Sequence, residues 1–220
     1  MQHLFETFIK PDKILSLEAI TQEARQTYWG HLEAMILQFR SGHCSAELDA
    51  KLRGESTIVL TAQACYDYAI NGTLRPATTE DEAEEISHDW KALANLILAA
   101  RYGIEFFSPD VDGKDIDVPA QLEQLFFHAI LRARLDIDTM PELDEDMLPS
   151  PLRHQNTSYL NLKEIAVLAQ MHEKSVRNAT QPTAPDRLYT RKEGTRTVVD
   201  AHEALRWLKG RRHFKSTVLV

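Results

Sequence analysis

Glu85 and His88 stand three residues apart, the ExxH spacing that puts a carboxylate and an imidazole on one helical face, where two such motifs together hold a pair of metal ions. A second copy on another helix is required, and the chain has none. The acidic run at 80–85 has a simpler origin: Thr79 can cap a helix with Glu82 three residues on, and carboxylates in a first turn suit the helix dipole. Asp110, Asp112, Asp115 and Asp117 surround Gly113, yet counting from Asp110 puts the glycine fourth and Gln121 twelfth, where a calcium loop needs glycine sixth and glutamate twelfth. His43 beside Cys44 lacks a third group to orient it. There is no HExxH, no glycine-rich phosphate loop and no GxSxG elbow. The expectation is a protein that is not an enzyme, with no catalytic residues, no metal and no cofactor. Cys44 and Cys65 are too few for a disulfide framework, so a reduced, cytoplasmic setting is expected. No basic segment followed by an apolar run opens the chain, and no stretch approaches 18 uncharged apolar residues, so neither secretion nor a membrane partner is expected.

The elements that would position any site are mostly helical. Apolar residues recur at helical spacing over 14–39, interrupted only by Gly30; this is longer than a small core needs and marks a candidate homodimer element. Helices are also read at 46–52, 58–70, 80–101 and 119–134, although Ile58, Val59 and Leu60 would also suit a strand. The segment 136–157 carries Pro141, Pro149 and Pro151 among acidic residues with little periodicity, and reads as a linker in which Met140, Leu143, Met147 and Leu148 could tuck against a neighbour. The division is therefore an α-helical domain at 1–135, a linker at 136–157 and a smaller unit at 158–220.

Charge separates the two ends. The chain carries −8 overall, yet residues 150–220 hold thirteen Lys and Arg against six Asp and Glu, a balance of +7 that leaves −15 for the rest. A basic module on an acidic body fits phosphate contact through one face. Within that module, 159–180 reads as two short helices around a tight turn: Leu162, Ile165, Ala169, Met171, Val176 and Ala179 are apolar or small, and Asn161 with Glu164 forms a capping box. Two β-favouring runs, 188–191 and 196–199, flank Gly194 as a hairpin. Asp200, with Glu203 three residues on, then caps a last helix whose apolar face includes Ala204, Leu205, Trp207 and Leu208, with Trp207 assigned to the core.

This spacing resembles the winged helix-turn-helix of MerR-type regulators and phage excisionases, over about sixty residues. The resemblance implies a mainly α chain ending in a winged helix-turn-helix with a small β-hairpin, and double-stranded DNA as partner. Its second helix would enter the major groove and present Lys174, Ser175, Arg177 and Asn178, while the wing would present Arg191, Lys192, Thr195 and Arg196. Two residues depart from the pattern. Gln170 stands where glycine is frequent, and His172 where Ser or Thr commonly caps the second helix. The implied function is sequence-specific DNA binding, as a transcriptional regulator or a recombination accessory factor of a mobile element. The alternative is a protein-interaction adaptor that docks a partner through the winged unit.

Overall fold

The computed structural model describes residues 9–39, 57–102, 119–153 and 158–220. In chain order these form α1 (Leu17–Phe39), α2 (Thr57–Tyr66), a π-helical turn (Asp67–Asn71), β1 (Thr73–Leu74), α3 (Glu80–Tyr102) and α4 (Ala120–Thr139). Two short 3-10 turns follow (Glu145–Met147, Ser150–Leu152), then β2 (Tyr159–Asn161), α5 (Leu162–Leu168), α6 (Glu173–Ala179), β3 (Arg191–Glu193), β4 (Arg196–Asp200), α7 (Ala201–Leu208) and β5 (Val218–Leu219). The protein is mainly helical with little sheet. The expected helix at 46–52, the Asp-rich loop at 108–118 and the His43–Cys44 pair lie outside the described residues.

Helix α4 is the centre. Every residue from Leu122 to Asp136 is buried, because apolar side chains occur all round it rather than along one stripe. Its first turn is capped from another helix: Glu23 on α1 accepts from the Gln121 and Leu122 amides at 2.8 and 3.0 Å. Ile20, Ala24 and Thr27 form the buried stripe of α1, which packs on α2. That part of the expected dimer element is therefore covered by the chain's own core. The ambiguous Ile58–Leu60 run is helical, inside α2. Helix α3 starts with the Glu82 amide donating to Thr79 Oγ1, while the Glu82 carboxylate reaches one residue further back, to the Thr78 amide and hydroxyl.

Helix α4 also runs past its expected end at 134, so residues 136–139 complete a helix instead of beginning a linker. Beyond it Leu143, Leu148 and Leu152 are buried, and the Ser150 amide donates to Ser87 on α3. These leucines are spaced irregularly by prolines and carry no period, yet they bury as completely as helical ones. Residues 154–157 lie outside the described set.

The C-terminal elements run β-α-α-β-β-α. The sheet order is β2-β4-β3, antiparallel throughout, with Leu160 opposite Val199 and Lys192 opposite Thr197. The strand β2 was not among the sequence expectations. It is three residues long, too short for alternation to register. Helix α7 packs on α4, and one buried cluster holds residues of both ends of the chain, from Ile20 to Trp207. Finally β5 crosses to the N-terminal part and pairs in parallel with β1, Thr73 opposite Val218. Gly72 makes this approach possible: its φ is +70°, and a Cβ there would lie 2.6 Å from the Ser216 carbonyl oxygen. Among the described residues no helix is long and apolar enough to cross a membrane.

Candidate nucleic-acid interface

The local structure around α6 follows from its neighbours in sequence. Asn161 accepts from the Glu164 amide while the Glu164 carboxylate accepts from the Asn161 amide, a complete capping box that starts α5. The turn between α5 and α6 passes through Gln170, which takes a left-handed φ of +49°. Its side chain is buried, and its Oε1 has no hydrogen-bond partner among the described residues. The expected strain is thus localised at one residue. His172 caps α6 after all, its Nδ1 accepting from the Lys174 amide at 3.1 Å. An imidazole nitrogen supplies the acceptor usually provided by a hydroxyl.

On α6 only Val176 is buried. Lys174, Ser175, Arg177 and Asn178 are all exposed, as are Arg191, Lys192, Thr195 and Arg196 in the hairpin. Arg177 pairs with Glu173 one turn back at 2.7 Å, its side chain still 66% exposed. Such an exposed pair is held by less than about 1 kcal/mol and exchanges readily for another anion. In the hairpin Lys192 donates across the strands to Thr197 at 2.8 Å, and the Arg191 guanidinium lies 5.9 Å from the Tyr159 ring. Gly194 turns the hairpin with φ +59°, and a Cβ added there would meet nothing within 4 Å, so the tip projects freely.

A second group, whose Asp186, Arg206 and Arg211 the sequence did not single out, fixes the entry to the hairpin. Leu188 is fully buried and its amide donates to Ala179. Arg206 on α7 binds Glu203, Asp186 and the Arg187 carbonyl, and Arg211 binds Asp186. The Trp207 indole donates to the Asp186 carbonyl, and the Tyr189 amide donates to Glu203. Bonds from Arg206 hold the Glu203 carboxyl below its usual range, and Glu203 with Asp186 raises the Arg206 guanidinium further above neutrality. These arginines belong to the scaffold. Tyr189 is 59% exposed with Arg187 stacked 5.2 Å from its ring centre. The sequence signal for this was the alternation Arg187, Tyr189, Arg191.

Chemically, the exposed set offers ammonium, guanidinium, amide and hydroxyl donors and no activated nucleophile. Burial pushes the Cys65 thiol up, away from the thiolate. Glu85 and His88 are exposed on α3, and among the described residues no three metal-binding side chains cluster. Compared with family models, curated proteins and solved structures, the chain matches none.

Proposed function

We propose that the protein is a sequence-specific binder of double-stranded DNA, a transcriptional regulator or a recombination accessory factor of a mobile element, built on a winged helix-turn-helix. The observation that carries this reading is the face of α6, anchored by the buried Val176 with Ala179 packed on the same core, and presenting Lys174, Ser175, Arg177 and Asn178 to solvent. Arg177 has the planar fork that matches guanine O6 and N7, and Asn178 the donor–acceptor pair that matches adenine. Lys174 and the hairpin residues Arg191, Lys192, Thr195 and Arg196 neutralise or hydrogen-bond phosphates and set the register. The protein acts in the cytoplasm as a homodimer, pairing two half-sites. Ile14 and Leu17, exposed at the start of α1, supply apolar surface for that contact.

Fluorescence anisotropy of the full chain on mixed-sequence duplex DNA, across a salt series, tests the proposal. Log affinity is expected to fall linearly with log salt, and Lys192→Ala to reduce the slope by about one unit. Absence of binding at low salt overturns it and leaves the adaptor reading. Mapping the specific site beside a promoter or beside an attachment site then separates regulator from recombination factor.

A further inference from the structure

Between α2, α3, β1 and the first 3-10 turn lies an open cleft of about 420 Å³ that the DNA-binding reading does not use. Its size falls in the range of small-molecule sites. Leu60 and Met147, 48% and 41% exposed, both face it, and so does Val220 beside β5. Large apolar side chains left in solvent and converging on a concavity are surface awaiting cover. Trp90 and Tyr68 provide its aromatic wall.

The charges around the cleft are not balanced. Arg153 is tied to Asp146 at 3.1 Å and to backbone carbonyls. Arg75 also lines the cleft and has no ion-pair partner among the described residues. Three carboxylates, Asp67, Asp89 and Asp146, thus stand against two guanidinia, Arg75 and Arg153, and Asp67 and Asp89 are the two outside the Arg153 pair. Asp67 accepts from the neutral Asn71 amide, and among the described residues neither has a cation paired with it. An apolar cavity lined by one more carboxylate than guanidinium complements a ligand of the opposite pattern.

We infer that this cleft binds a small amphiphilic amine, a cation with an apolar body of roughly ten carbons. The body covers Leu60, Met147 and Val220, and the ammonium sits by Asp89 and Asp67.

Isothermal titration of the full chain with three probes that share one body tests this: 4-phenylbutylamine, 4-phenylbutanol and 4-phenylbutyrate. The amine is expected to bind about tenfold more tightly than the acid, with the alcohol between. Asp89→Asn is expected to weaken the amine about fivefold and leave the alcohol unchanged. Ala64→Phe, at an exposed position lining the cleft, fills it and is expected to abolish binding of all three while far-UV circular dichroism stays that of the parent. Equal binding of amine and acid, amine binding that survives Ala64→Phe, or no heat from any probe at millimolar concentration overturns the assignment.

Discussion

Arginine does opposite work at two places in this molecule. On α4, Arg132 is 1% exposed and fully engaged: it donates to the Ala69 and Lys215 carbonyls and to Thr217 Oγ1 at 2.8–2.9 Å, and lies 5.0 Å from the Phe214 ring centre. One turn on, Asp136 accepts from the Tyr68 and Thr217 hydroxyls. Arg134 on the same helix holds Glu164 and the Tyr159 carbonyl at 2.7 Å, fastening α4 to the C-terminal unit. On α6 and the hairpin, Arg177, Arg191 and Arg196 stand in water. A charge count treats these side chains alike. Only burial distinguishes a guanidinium that ties the chain together from one available to a phosphate or a base.

The largest effect that tests this contrast is Arg132→Met. It leaves the Ala69 and Lys215 carbonyls and the Thr217 hydroxyl without their buried donor and removes the positive charge nearby that favours the Asp136 carboxylate, and is expected to lower unfolding free energy by about 3–5 kcal/mol in urea titration. A loss below about 1 kcal/mol breaks the contrast, because Arg132 then contributes no more than a surface residue does. Arg177→Ala should do the reverse: stability within about 0.5 kcal/mol of the parent, and discrimination at one base pair reduced by about 1–3 kcal/mol. An unchanged site preference removes α6 from the groove.

Asp136 sharpens the comparison through pH. Burial, opposed by Arg132 and the two hydroxyl donors, pushes its carboxyl up from 3.8 to about 6. The folded protein therefore holds this proton more tightly than the unfolded chain. The stabilisation from Asp136 is whole below the unfolded value and is lost as pH rises through about 6. Asp136→Asn removes that term, so the stability of the variant relative to the parent is expected to improve as pH climbs from about 4 to about 7. A difference that stays flat across this window contradicts the buried carboxylate. The smallest effect is Gln170→Gly, which relieves a left-handed φ and removes a buried oxygen without a partner; chemical unfolding should show a gain of about 0.5–1 kcal/mol.

Much of the candidate interface could be read without coordinates, because its signals are short-range. The Asn161–Glu164 box, the Gly194 hairpin, the Asp200 cap and the buried Val176 and Trp207 each depend on residues within a few positions of one another. Asp200 does accept from the His202 amide, but Glu203, expected to complete that cap, serves Arg206 and the Tyr189 amide instead. A carboxylate with a nearby guanidinium gains more from it than from closing a turn. In 140–153 the sequence marked Met140, Leu143, Met147 and Leu148 as able to tuck against a neighbour, and Leu143 and Leu148 do so while Met147 stays exposed; what they pack on was not legible, since leucines separated by prolines have no period to detect. Nor was β2, whose partner β4 lies some forty residues away.

The sequence by itself determined where most helices start, which unit is basic and which residues of α6 face water, because capping and periodicity act over one or two turns. Only the tertiary structure decided which arginines are spent. Arg132 meets Lys215 and Thr217 more than eighty positions away, β5 finds β1 across the length of the chain, and the cleft forms from α2, α3 and residues near 147 and 220. Contacts at such separation are chosen by shape and solvation in the assembled core, and no local pattern encodes them.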